Sequence, residues 1–147
     1  MTSNALRRSQ QGYSMAWYAV VLLFVLAPLM SLAVDITRLL FVRTDLQTSV
    51  DAACEAAALA ADTRTFNRTG VQQIDAGLAT SYAVHAFYAS AAEAELVQYS
   101  ASLTSVNVFA PTEVACAAVA AVVPLIPFSP RLEVRVYAQA KMRFLES

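Results

Sequence analysis

Between Arg8 and Asp35 the chain runs for 26 residues without a charged side chain, SQQGYSMAWYAVVLLFVLAPLMSLAV. A helix of about 20 apolar residues crosses the hydrocarbon core of a bilayer, and the run from Tyr13 to Val34 has 22. It reads as a transmembrane helix over residues 13–34, behind a cytoplasmic N-terminus of residues 1–12. Tyr13, Trp17 and Tyr18 gather near one end, where amphipathic rings favour the headgroup layer. Pro28 removes one backbone hydrogen bond within the span, which membrane helices tolerate when local adjustments satisfy the freed carbonyl. The whole chain leans the same way. Of its 147 residues 58% are hydrophobic and 14% charged, against about 45–50% and about 25% in ordinary soluble domains. Net charge is −1 and the ten basic residues are scattered, so no clustered basic face for nucleic acid exists.

Arg7 and Arg8 precede the span with no acid beside them, which favours an N-terminus in the cytoplasm and a C-terminal part outside. Arg38 and Arg43 lie on the other flank, mixed with Asp35, Asp45 and Asp51. A secretory signal is the competing reading, with Ser31–Ala33 as a small-residue cleavage site. The uncharged run is longer than the roughly 7–15 residues of a signal core.

No glycine or proline interrupts residues 31–61. On a 3.6-residue period Leu39, Val42, Leu46, Val50, Ala53, Ala57 and Ala60 form one apolar stripe, with Asp45, Asp51, Glu55 and Asp62 elsewhere. The helix is expected to continue out of the membrane as an amphipathic, alanine-rich extension over residues 35–62. That stripe packs either on the chain's own domain alone or also against other subunits. Residues 63–70, TRTFNRTG, read as a turn. A second helix is expected from about Val71 to Leu96, with Ile74, Leu78, Tyr82, His85 or Ala86, and Ala89 on its inner face.

The remainder changes texture. Leu132, Val134, Val136, Ala138, Ala140 and Met142 alternate with Glu133, Arg135, Tyr137, Gln139 and Lys141, the period of a half-buried strand. Pro111, Pro124, Pro127 and Pro130 separate the runs. Residues 63–147 therefore read as a small extracytoplasmic domain with the second helix and a 3–4-stranded antiparallel sheet. The fold class is α+β.

Cys54 on the rod and Cys116 in a strand could form a disulfide in an oxidising compartment, or remain buried thiols. Two cysteines and one histidine, without a Cys-x-x-Cys pair, do not make a metal site. His85 reads as a packed residue on an apolar face. Glu93 and Glu95 point to different sides of a helix. Three glycines leave no phosphate-cradling loop, and no nucleophile or zinc-protease motif occurs. The chain reads as no enzyme, without cofactor.

The stretch from Arg7 to Ala61 resembles the N-terminal signature of the Tad (tight adherence, Flp-type) pilus assembly proteins of the TadE/TadG-like group. The resemblance lies in the basic pair Arg7–Arg8, Gly12, the inner Pro28 and the junction Leu32-Ala33-Val34-Asp35-x-x-Arg38. It continues through Leu46–Gln47 and the run from Asp51 to Ala61. It implies a single-pass bacterial inner-membrane component of a pilus machine, either a minor pilin or a pseudopilin. Such a chain would be a homo- or hetero-oligomer partner of other pilins or Tad assembly proteins, held in the lipid bilayer, with its C-terminal domain in the periplasm or at the cell surface. Processed relatives cut after a glycine carry Glu five residues on. Here that position after Gly12 is Trp17, which resembles the uncleaved TadG-like branch. A membrane-anchored periplasmic scaffold or binding protein unrelated to pili is the alternative. A channel subunit would need polar or charged residues lining the span, and the span has no charged ones.

Overall fold

The apolar segment and the alanine run are one helix. A computed structural model describes residues 3–124 and 131–143, with side chains from Met15 onward except at 97, 98 and 110. Helix α1, Ser3–Ala58, has 56 residues and would span about 84 Å if straight. It passes Pro28 without ending. It stops at Ala58, short of the Asp62 expected from the stripe. The last turn tightens, with Leu59 N–H on Ala56 O and Ala60 N–H on Ala57 O. Ala61 then pairs with Ile74, and Asp62 N–H donates to Gln73 O at 2.9 Å. The backbone groups that would extend α1 are taken by this short antiparallel bridge.

The expected turn at residues 63–70 is instead a second short helix, α2, Thr63–Thr69. Asp62 caps it, accepting from Arg64 N at 3.0 Å and Thr65 N at 3.1 Å. The same carboxylate accepts from the Thr65 hydroxyl and from Gln73 Nε2. Gly70 closes α2 at φ +70°, its N–H on Phe66 O; a side chain there would be strained.

Helix α3, Ala76–Glu93, starts at Asp75, which accepts from the N–H groups of Gly77 and Leu78. It is shorter than the expected Val71–Leu96 because residues 71–75 run extended to bridge Ala61. Its inner face also differs from the expectation. Ala79, Ala83, Phe87 and Ala91 are buried, whereas Leu78, Tyr82, His85 and Ala89 are exposed. Both rows repeat at the helical period. The alanine row wins because it lets α3 approach α1 closely, and Leu78 and Tyr82 are too large for that gap. Glu95, at φ +55°, ends this segment, and a single 3-10 turn, Leu96–Tyr99, comes next.

Three strands form an antiparallel sheet in the order β1-β2-β3: β1 Ser102–Ala110, β2 Glu113–Val122 and β3 Leu132–Lys141. On β2 every second residue from Val114 to Val122 is buried, the alternation of a sheet with one covered face. Val136 and Ala138 on β3, and Met142 just past its end, are buried, while Leu132 at its start is exposed. Pro111 and Thr112 turn β1 into β2, and their carbonyls accept from Ile74 N and Met142 N. Pro127 and Pro130 lie outside the described residues. Helices α1 and α3 cover one face of the sheet, α1 across β2 and β3, and α3 across β1.

The hydrogen bonds to Asp62, those of Thr65 and Gln73 first, hold its carboxyl far below the ordinary carboxylate range. A depressed folded value stabilises the fold above the unfolded value, here 3.8, and that contribution is lost as pH falls from there towards the folded value. Asp62→Asn should therefore lower the Tm at neutral pH. The gap to the unaltered protein should narrow below about pH 4, as read by circular dichroism melts at both pH values.

Candidate functional site

Helix α1 presents the most distinctive surfaces among the described residues. Among the described residues no group of three or more His, Cys, Asp or Glu could hold a metal. His85 is exposed on α3.

Helix α1 carries two different surfaces end to end. From Met15 to Met30 every side chain is exposed, Phe24 at 76% and Leu23 at 66%. A contiguous apolar surface of this extent is not kept in water, and α1 is the one described helix long and apolar enough to cross a membrane. Trp17 is exposed near the N-terminal end of that surface. Ala19 and Ala27 leave a shallow notch flanked by Leu22, Leu23, Leu26 and Met30. Arg7, Arg8 and Gly12 lie on the first turns of α1, and their side chains are outside the described part.

Going along α1 from Met15, Asp35 is the first buried side chain. One turn on, the Arg38 guanidinium lies over the Tyr99 ring, 5.9 Å from its centroid, a cation–π contact. The domain begins here. From this point Val42, Leu46, Val50, Ala53, Ala57 and Ala60 are buried, with Leu39 packed at the edge. They meet Phe87 and the alanines of α3 on one side and Val114, Cys116, Ala118 and Val136 of the sheet on the other. Ser49, fully buried, donates to Asp45 O or shares its proton with Ser90 at 3.1 Å. Gln47 Nε2 donates to Tyr137 O at 3.3 Å on the free edge of β3. The upper half of α1 is thus a core element of the domain rather than an appendage to it.

Cys54 and Cys116 face one another inside this core as free thiols. Cys54 Sγ also lies 3.4 Å from Ala138 O and 3.5 Å from Val114 O. Burial pushes both thiols up, Cys116 far above the ordinary range, with its contact to Cys54 adding to the rise. Protonated thiols are poor nucleophiles.

Beside it, a cleft of about 630 Å³ opens between α1 and the end of β3, lined by Asp51, Glu55, Lys141 and Arg143 among others. It is open and of mixed charge. The short helix α2 and the two aspartate caps were the elements that period counting passed over. Their signals were local: Asp62 and Asp75, each just ahead of a helical turn, and Gly70 just behind one.

The alanine seat sets a sharp requirement. Ala57 is fully buried and Leu59, two residues on, is 76% exposed. Ala57→Leu should destabilise the domain by about 1–3 kcal/mol through overpacking. Phe87→Ala should cost about 3–5 kcal/mol, while Leu59→Ala should stay within about 0.5 kcal/mol. Urea unfolding of the full chain in detergent micelles reads all three.

Residues 12–63 match the family model of the Tad group, described as Flp pilus-assembly TadE/G-like. The match runs from Gly12 through the apolar surface, the Asp35–Arg38 junction and the alanine seat, and closes at the first residue of α2. No curated protein and no solved structure matches the chain.

Proposed function

We propose that this protein is a single-pass structural component of a Tad-type pilus machine, a minor pilin or pseudopilin. It would act by packing its helix and domain against other subunits rather than by catalysis. The observation that carries the reading is the coincidence of the family match with one physical unit. The matched residues are the helix that is apolar all round at one end and seated in a domain at the other. In this reading Arg7 and Arg8 hold the N-terminus in the cytoplasm, and the domain stands outside the bacterial inner membrane. Helices in lipid associate by close packing of small residues, so the notch at Ala19 and Ala27 is the place for a neighbouring subunit's helix. Trp17, standing where processed relatives carry Glu, supports an uncut Gly12 and a role at the base of the fibre.

Affinity isolation of the full-length protein from crosslinked cell membranes tests this. Pilins or Tad assembly proteins should co-purify. The double variant Ala19→Leu, Ala27→Leu should reduce their recovery roughly tenfold, for the 1–2 kcal/mol or so that such packing contributes. Recovery of the full chain without any pilus component would favour a scaffold unrelated to pili.

In the same setting Cys54 and Cys116 would become joined once the domain reaches an oxidising compartment. The bond would tie α1 to the central strand. Closing a chain interval of this size is worth about 4 kcal/mol in the loop-entropy estimate. Protein isolated from membranes, denatured without reductant and treated with a thiol alkylator, should carry no alkyl group. Two alkyl groups would show that the pair stays reduced.

A further inference from the structure

We propose that the lipid-contacting surface does not end at Val34. It continues up the outward face of α1 through Ile36, Leu40 and Phe41, so that the base of the folded domain sits within the interfacial layer of the bilayer. This rests on the reading of the lower part of α1 as the membrane anchor.

The two sides of α1 change character at different heights. On the inward side the change comes at Asp35, which is buried, and at Arg38, which lies over Tyr99. On the outward side nothing changes there. Ile36 is 48% exposed, Leu40 59% and Phe41 62%, in the same range as Val34 at 47% and Leu29 at 55% lower down.

The polar residues on this face are closed off. The Thr37 hydroxyl donates to Ala33 O at 2.9 Å and the Thr44 hydroxyl to Leu40 O at 3.0 Å. Hydroxyls bonded back into their own helix present no unpaired donor, the condition a lipid-facing side chain must meet. Beyond Asp35 the first exposed ionised side chain outside the contact with Tyr99 is Arg43. It lies eight residues past Asp35, about 12 Å along the helix, and a long arginine stem reaches headgroups while its own position stays apolar.

The domain base is built to match. Strand β2 starts level with Cys54, whose thiol reaches Val114 O. It then runs down until it touches the 3-10 turn at Leu96–Tyr99, the turn that lies against Arg38. Its lower end carries Val122, paired with Leu132. Leu132 and the neighbouring Val123 are both exposed apolar side chains. The outward helix face and these strand ends therefore expose apolar surface at the same end of the domain. A bilayer is the occupant because this surface prolongs the span without a break. A second protein copy would instead cover the face and leave lipid out.

Tryptophan placement tests the proposal on the full-length protein in lipid nanodiscs. Trp17→Phe removes the one native tryptophan. On that background Phe41→Trp is the probe, Phe24→Trp the control within the span, and Leu59→Trp the control at the far end. Phospholipids brominated high on their acyl chains, next to the headgroups, should quench the probe at 41, which lies in the interfacial layer, and those brominated at mid-chain should quench the probe at 24. The probe at 59 should be unquenched. If 24 is quenched and 41 is not, the proposal fails while the anchor reading stands. Shielding of position 41 from both bromine and aqueous acrylamide would mean a protein covers it, which also overturns the proposal. If 24 itself is unquenched, the anchor reading fails and takes the proposal with it.

Discussion

Close contact between the alanine face of α1 and the alanine row of α3 is the interaction on which the rest of the structure depends. Ala53 and Ala57 on one helix, and Ala79, Ala83 and Ala91 on the other, are buried with almost no exposed surface. Small side chains let the two helices draw together and lie side by side on a sheet of three strands. The large buried residues are few: Phe87, Leu46 and Leu96 lead them. In such a core little free energy comes from any one alanine. What counts is that nothing larger stands where the helices meet, which is why α3 turns Leu78 and Tyr82 outward.

That seat makes a long apolar helix continuous with a folded domain. The chain crosses from one surface to the other without a joint. Pro28 does not end α1, and no loop separates Val34 from Asp35. Displacing the lower half of α1 therefore moves the domain, and a load on the domain is carried down the helix. The Tad match ends where that unit ends, at Thr63, and the residues beyond Thr63 build the other side of the seat.

Much of this could be read from residues alone, and the failures have physical causes. The uncharged run stands out by its length, and the Leu39–Ala60 stripe because residues 31–61 offer one apolar row and no breaker. The alternation of residues 132–142 marks a strand for the same reason, failing only at Leu132, where the strand starts and the cover has run out. On α3 two rows compete, Leu78–Tyr82 and Ala79–Ala83–Phe87. Period alone cannot choose between them, because the choice is made by the width of the gap to α1. Helix α2 was hidden by reading Gly70 and its polar neighbours as a turn, when Asp62 and Gly70 are its two caps. The end of α1 at Ala58 is set by the bridge from Ala61 to Ile74, a contact no local pattern announces.

The central claim is that residues 15–58 are one unbroken helix, wrapped by lipid below and by the domain above. Amide hydrogen exchange on the full-length protein in a bilayer tests it most directly. The account predicts continuous slow exchange through residues 31–41, with no fast-exchanging amides between the apolar segment and the seat. Rapid exchange across that stretch would place a flexible joint at Asp35. Anchor and domain would then be two bodies on a tether, and the account would be wrong.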